Sequence, residues 1–266
     1  VAITLYEQCA LFSFDWAVIT GKRRRRAIHI AYFAAKIAWW CYMVLIMIRY
    51  YTVDEVNCTA NMVAVQVLMG VVNTCASILL ACRAVCVYRG KTRTYITYGL
   101  VVGTLALAAS WAAGTQDVVM MWSSLPLFPW ATGSCAMTEV KTQYFVKYLI
   151  TILYDLTVLL LTVGGVVKMT RGGSSRIGTV LIEQGALYFL AVFVVNLPIL
   201  VLTAAQTGPL LSIFFAVPSA AVSLCISTRM YVQLANEAAH KPGGISNEQL
   251  SSQGSVSEKV INFFTR

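Results

Sequence analysis

Ionisable and amide side chains are rare within the long apolar runs of this chain, so each one is a candidate for chemistry. A first set lies toward one end and the middle of these runs: Glu7, Lys36, Gln66, Asn73, Tyr154 and Asp155. A lone ammonium group in an apolar environment is costly, so we expect Lys36 to pair with Glu7 or Asp155. Two interpretations stay open: a structural ion pair that fixes helix packing, or a polar pocket that binds a ligand or carries a proton.

A second set of charged residues lies toward the opposite ends of the runs: Asp15, Arg83, Glu183 and Arg229. Two carboxylates and two guanidinium groups at one level can neutralise each other through bidentate hydrogen bonds. Such a cluster would act as a latch between two arrangements of the helices. The alternative is that both arginines extend to phosphate head groups at a membrane surface.

Composition places these residues in a membrane protein. Hydrophobic residues make up 58% of the 266 residues and charged residues only 12%, against roughly 25% charged residues in soluble domains. The apolar runs reach the length of about 20 residues that crosses a bilayer. The net charge of +9 does not indicate nucleic acid, because the basic residues cluster between the apolar runs. Membrane lipids are therefore the expected partners, and no nucleic acid is expected.

The runs predict an all-α integral membrane protein, a bundle of seven transmembrane helices within residues 1–235. The expected helices cover residues 3–20, 27–50, 61–86, 94–115, 143–167, 177–205 and 208–233. Residues 236–266 are polar and rich in serine, and we expect them to form a cytosolic tail.

Basic residues determine the expected orientation of the bundle. They lie between the first and second, third and fourth, and fifth and sixth helices, which predicts cytosolic loops, an outside N-terminus and a cytosolic C-terminus. The expected location is the plasma membrane or another membrane of the secretory pathway. The first helix is the weakest prediction, because it is short and carries both Glu7 and Asp15. Without it, the chain would cross six times and begin in the cytosol.

Two cysteines fall on the expected outer face, where a disulfide can form. Cys58 precedes the third helix, and Cys135 lies in the long outer loop at about 116–142. A bond between them would tie the third helix to this loop. Asn57-Cys58-Thr59 is also a glycosylation sequon, so Asn57 is a candidate glycosylation site. The loop has no obvious secondary structure, and its aromatic residues indicate either an interfacial belt or a lid over a ligand cavity.

The sequence motifs of several enzyme classes are absent from this chain. His29 and His240 are isolated, so we expect no metal and no other cofactor. We find neither a phosphate-binding glycine loop nor a Gly-x-Ser-x-Gly motif. The helix expected at 208–233 contains no lysine that could hold retinal as a Schiff base. These observations favour a protein that is not an enzyme.

Four motifs resemble those of a group of fungal, mainly basidiomycete, seven-transmembrane proteins of unknown function. They are Leu5-Tyr6-Glu7 followed by Phe14-Asp15-Trp16 and a basic run, Arg83 followed by Tyr88, Gln184-Gly185-Ala186-Leu187-Tyr188-Phe189, and Ser227-Thr228-Arg229-Met230. Gln184 departs from the usual Asp of that family, and Thr228 is an insertion. The resemblance covers nearly all of 1–233 and implies topology more than function.

The layout also resembles that of G-protein-coupled receptors, although layout alone does not fix function. Their Glu/Asp-Arg-Tyr motif is absent, because Cys82 precedes Arg83. We expect a receptor-like protein that senses a small-molecule or lipid ligand from outside and signals to a cytosolic partner such as a G protein. A second hypothesis is a membrane-embedded enzyme acting on a lipid or isoprenoid, like fungal terpene cyclases, with an intramembrane carboxylic acid as general acid. A third is a transporter or proton pathway.

Overall fold

The structure, a computed structural model, consists of helices and one β-hairpin in the part of the chain that it describes. This part comprises residues 2–21, 27–51, 57–88, 90–123, 134–141, 143–171, 190, 192–198, 201–202 and 209–240. The helices are α1 (Ala2–Ala10), α2 (Phe12–Ile19), α3 (Ala27–Tyr51), α4 (Cys58–Val87), α5 (Gly90–Ala113), α6 (Tyr144–Arg171) and α7 (Pro209–His240). Residues 192–198 are also helical.

Five helices of the described part are long and apolar enough to cross a membrane. They contain the segments Ile28–Ile48, Cys58–Val87, Gly90–Gln116, Tyr144–Gly165 and Phe215–Asn236. Large apolar side chains such as Ile37, Leu105 and Leu160 are exposed on their outer surfaces, as expected where lipid replaces water. These helices identify a membrane-embedded protein that is mainly α-helical.

The helix predicted at 3–20 is instead two short helices. α1 has 9 residues and α2 has 8, and Leu11 between them has φ −90° and ψ 0°. The chain stays hydrogen-bonded across this point, because Leu11 N donates to Glu7 O at 3.1 Å and Asp15 N donates to Leu11 O at 3.1 Å. Each helix alone covers less than half of a bilayer core of about 30 Å.

Two helix ends differ from the prediction for identifiable reasons. α4 begins at Cys58, three residues early, because Asn57 caps it: its Oδ1 accepts from Ala60 N at 3.0 Å. α7 continues to His240, into the segment predicted as a polar tail, because the helix-forming residues 234–239 precede the breaking Pro242-Gly243 pair. Most of the helix predicted at 177–205, and the tail from residue 241, lie outside the described residues.

The loop in which we expected no obvious secondary structure contains a β-hairpin, a local exception in a chain that is otherwise mainly helical. β1 (Val118–Ser123) pairs antiparallel with β2 (Ser134–Val140), with a bulge between Val119 and Met120. The β-branched Val118 and Val119 and the aromatic Trp122 of β1 favour an extended strand. Thr59 Oγ1 donates to Met120 O at 3.0 Å, which attaches the hairpin to the start of α4.

Cys58 and Cys135 lie at disulfide distance, with their Cα atoms 5.7 Å apart, as predicted. This bond links the first residue of α4 to β2. We call this end of the bundle, where α4 and α6 begin, the hairpin end.

α4 is the central helix of the described bundle, since it packs against α3, α5, α6 and α7. Its approach to α5 depends on Gly70, where an added Cβ would lie 2.9 Å from Trp111 Cβ. Because α4 is surrounded, its polar residues Gln66, Asn73 and Ser77 face other helices. They form parts of the sites described below.

Candidate functional site

A buried lysine near the start of α6 organises the hairpin end. Lys147 is 2% exposed, and its Nζ donates to Gln66 Oε1 and to Gly114 O, each at 3.0 Å. Aromatic rings surround the ammonium group, with centroids at 4.1, 5.2 and 5.9 Å for Tyr144, Trp111 and Tyr148. Such rings attract a cation through their negative faces. We call these residues the hairpin-end cluster: a cation held by uncharged oxygens and aromatic rings.

The turn after α5 completes the surroundings of Lys147. A Cβ on Gly114 would lie 2.9 Å from Lys147 Cδ and 3.2 Å from Asp117 Oδ2, so a larger residue here would displace these side chains. Asp117 is buried and interacts favourably with the charge of Lys147. Asp117 and Lys147 are nevertheless not within ion-pair distance, since the ion pairs among the described residues are Lys36–Asp15 and Arg229–Glu7.

A buried carboxylate joins four elements near the middle of the bundle. Asp155 on α6 is 7% exposed, and it accepts from Ser77 Oγ on α4 at 3.2 Å and from Asn196 Nδ2 at 3.3 Å. Ser219 on α7 donates to Asn196 Oδ1. We call these four residues the central cluster. It connects α4, α6, the 192–198 helical segment and α7 through side-chain hydrogen bonds.

A small cavity lies between the hairpin-end cluster and the central cluster. Its volume is about 10 Å³, roughly the room needed for one water molecule. Apolar side chains and the ring of Trp111 form half of its lining, and the five lining residues with side-chain oxygens are Asn73, Tyr148, Thr151, Asn196 and Ser219. Thr151 lies midway along α6 between the two clusters, where its Oγ1 donates to Lys147 O at 2.7 Å and accepts from Trp111 Nε1 at 3.2 Å.

A third set of charges holds the N-terminal helices to the bundle. Lys36 Nζ lies 2.5 Å from Asp15 Oδ2, and Tyr32 OH donates to Asp15 Oδ1 at 2.7 Å. We call Asp15, Tyr32 and Lys36 the terminal-helix cluster. Farther along, Arg229 Nε on α7 lies 2.5 Å from Glu7 Oε2 on α1.

In the structure, each ion pair joins one residue of the first predicted set to one residue of the second. Lys36 pairs with Asp15 and not with Glu7 or Asp155, and Glu7 pairs with Arg229. The prediction placed Arg229 near the end of its helix, but α7 continues to His240, about 16 Å farther along the axis. The long side chain of Lys36 also reaches along its helix to a carboxylate at another level.

The remaining residues of the two predicted sets lie in different parts of the bundle and do not form one site. Gln66 belongs to the hairpin-end cluster, and Asn73 lines the cavity. Tyr154 faces α5, where its hydroxyl lies 2.8 Å from Thr104 Oγ1, so it is not part of the cavity. Arg83 is buried one turn before the end of α4. Glu183 lies outside the described residues.

Sequence reasoning missed Lys147 although a signal was present. Tyr144, Tyr148, Thr151 and Asp155 follow one another at steps of three or four residues, which places them on one face of α6. Lys147 belongs to the same face, because it lies three residues after Tyr144 and four before Thr151. The same spacing relates Tyr32 to Lys36 on α3. A search for polar residues at helical spacing would have found both faces.

Asn57, the candidate glycosylation site, is exposed next to the disulfide, and its side chain caps α4. Glycosylation there stays a prediction.

Comparison with known proteins adds no relative: no family model matches the chain, and no curated protein is similar to it. The fold and the buried clusters define an α-helical membrane protein with polar and charged residues joining its helices.

Proposed function

We propose that the protein is a receptor-like signalling protein of the plasma membrane, with seven membrane crossings, which senses a small or lipophilic ligand from outside. In this proposal α1 and α2 together form the first crossing, since their 18-residue stretch would extend about 27 Å. The segment around 192–198 belongs to the sixth. The hairpin end faces outside, because a disulfide persists in oxidising compartments.

The central cluster is the observation that carries this proposal. Its carboxylate is bonded to Ser77 and Asn196, and Asn196 is bonded to Ser219, so a shift of any one of four elements changes the hydrogen bonds of the others. Signalling by a helix bundle requires an element with two discrete arrangements. Buried polar groups that can exchange partners supply such an element, because each arrangement must satisfy them.

The alternative functions have no supporting observation of their own among the described residues. The cavity of about 10 Å³ is too small for a lipid or isoprenoid substrate and equally too small for an organic receptor ligand, so its size does not separate an enzyme from a receptor. A proton pathway through Glu7, Lys36 and Asp155 would need these residues close together, but Glu7 and Lys36 each pair with another charged residue. We therefore keep the receptor-like function as the proposal.

The test is coupling to G proteins in cells that express the full chain. We expect wild-type protein to activate at least one member of a broad G-protein panel, with or without an added ligand. Asp155→Asn should change that activity by at least about fivefold at equal surface expression. Thr162→Val is the matched control, because Thr162 is also buried on α6 and its hydrogen bond among the described residues stays within its own helix, to Val158 O at 2.8 Å. Silence across the panel, with Asp155→Asn and Arg83→Glu equally silent, would contradict the proposal.

A further inference from the structure

The glycosylation sequon Asn57-Cys58-Thr59 is built into the hairpin end, where each of its three residues is already engaged. Asn57 caps α4 through its side-chain oxygen. Cys58 is 4% exposed and lies at disulfide distance from Cys135. Thr59 Oγ1 donates to Met120 O on β1 at 3.0 Å. The sequon therefore holds the start of α4 to the hairpin.

Attachment of an N-linked glycan makes demands that this arrangement does not meet. Asn57 Nδ2 must attack C1 of an oligosaccharide that is carried on a lipid diphosphate. The new N–C bond replaces the C1–oxygen bond, the lipid diphosphate leaves with the electron pair, and the nitrogen loses one proton to the transferase. The transferase must also read the threonine hydroxyl, which requires an accessible segment such as a surface loop. The start of a helix whose middle residue is buried and cross-linked is therefore a poor acceptor.

The folded structure has room for a glycan that was attached earlier. Asn57 is exposed, and the helix cap uses its oxygen, whereas the glycan is attached to its nitrogen. α4 has 30 residues and a length of about 45 Å, roughly 15 Å more than the core of a bilayer, so its first turns can extend beyond the hydrocarbon. Folding therefore blocks the attachment of the glycan but not its presence.

The order of synthesis leaves a period in which the sequon is open. Cys58 and Cys135 are separated by 77 residues, so Cys58 has no partner until α5 and the hairpin have been made. At roughly 5–20 residues per second, this takes about 4–15 s. Met120, which accepts from the Thr59 hydroxyl in the folded protein, is also made during this period. Formation of the disulfide then ends it.

We propose that Asn57 is glycosylated only before Cys58 is joined to Cys135, so that the disulfide closes this modification site. Wild-type protein then carries the glycan on a fraction of its chains. The relative rates of glycan transfer and disulfide formation determine that fraction. The proposal rests on the outside orientation of the hairpin end, which is part of the proposed function, and it does not depend on signalling.

Translation of the full chain into endoplasmic-reticulum microsomes measures the glycosylated fraction. Asn57-Cys58-Thr59 is the only Asn-x-Ser/Thr sequence in the 266 residues, so a glycan that an endoglycosidase removes reports on Asn57 alone. We expect Cys135→Ser to raise the fraction at least about twofold, because its sequon stays open after synthesis. Cys41→Ser, which replaces an exposed free cysteine on α3, should leave the fraction unchanged. Equal fractions in the wild type and Cys135→Ser, including no glycan on either, would overturn the proposal.

A reductant tests the same proposal on the unchanged chain. Dithiothreitol present during translation should raise the glycosylated fraction of the wild type and leave that of Cys135→Ser unchanged. An equal response of both proteins, or no response of the wild type, would contradict the proposal, because the disulfide would then not control the sequon. A wild-type chain with an added N-terminal sequon reports the orientation separately, since the N-terminus and the hairpin end share one side in the proposed topology. A wrong orientation, a sequon that the disulfide does not close and an absence of G-protein coupling are therefore separate results.

Discussion

Two buried lysines, Lys36 on α3 and Lys147 on α6, are accommodated in different ways. Lys36 is 6% exposed and lies 2.5 Å from a carboxylate, Asp15 Oδ2. Lys147 is 2% exposed and bonds to two uncharged oxygens, each at 3.0 Å, inside a ring of aromatic side chains. The first arrangement concentrates its stabilisation in one partner, and the second divides it among several. Loss of one group should therefore affect the two lysines very differently.

The two arrangements also hold different parts of the molecule. The terminal-helix cluster fastens α2 to α3 through Asp15, Tyr32 and Lys36. The hairpin-end cluster fastens α4, the turn after α5 and α6 to one another through Lys147. A concentrated ion pair suits the attachment of a short helix that has few other contacts. A distributed set of weak contacts suits a position where several long helices already pack.

The largest effect is expected for Asp15→Asn. This substitution keeps a hydrogen-bond acceptor for Tyr32 but leaves the buried ammonium group of Lys36 without its carboxylate. Breaking a buried ion pair from one side costs about 3 kcal/mol or more, so we expect a loss of that size in the free energy of unfolding. Denaturant titration of the purified protein in detergent measures it.

A double variant provides the control for this prediction. Combining Asp15→Asn with Lys36→Met removes the unpaired charge, and the pair of substitutions should recover most of the stability lost by Asp15→Asn alone. If the double variant is no more stable than the single one, the loss does not come from an uncompensated lysine, and the concentrated ion pair is the wrong description.

A smaller effect is expected for Lys147→Met. The methionine fills a similar volume and removes a charge, but it leaves Gln66 Oε1 and Gly114 O without a donor. We expect a loss of about 2 kcal/mol in the free energy of unfolding, because each of the two unsatisfied neutral acceptors costs at least about 1 kcal/mol. The matched variant Lys36→Met should cost more, because it strands the charged Asp15. A larger loss for Lys147→Met than for Lys36→Met would show that Asp117 is an ion-pair partner of Lys147.

The structure also shows which features can be predicted from the sequence. Hydropathy predicts the five long apolar helices because the length of a membrane crossing limits each run. The Cys58–Cys135 pair follows from placing both residues at the same end of the bundle. Asp155 and Lys36 are recognisable as polar interruptions in the middle of apolar runs. These predictions depend on position along a single helix.

Partners across helices are harder to predict, because they depend on helix ends and side-chain reach. The extension of α7 to His240 moves Arg229 away from the expected level, and it meets Glu7 instead of Asp15. Lys147 is near the start of its helix, where a lysine is expected to reach the membrane surface. The turn at Gly114, together with Gln66 on α4 and the ring of Trp111 on α5, keeps this lysine buried, and these groups come from other parts of the chain.

The smallest change in the free energy of unfolding is expected at Tyr144 in the hairpin-end cluster. Two substitutions there distinguish the contribution of the aromatic ring from that of the hydroxyl. The ring centroid lies 4.1 Å from Lys147 Nζ, whereas the hydroxyl makes only long contacts, 3.4 Å from Gln66 Nε2 and 3.2 Å from the hydroxyl of Tyr148. Tyr144→Phe keeps the ring and should lower the free energy of unfolding by about 0.5 kcal/mol, the low end for a hydrogen bond. Tyr144→Leu removes the ring and should cost about 1 kcal/mol more, as expected for a desolvated cation–π contact. Equal losses for the two variants in the same titration would mean that the hydroxyl, and not the ring, stabilises the lysine. Lys147 would then be held mainly by hydrogen bonds to uncharged oxygens, and the contrast with the ion pair of Lys36 would rest on those bonds and not on the aromatic rings.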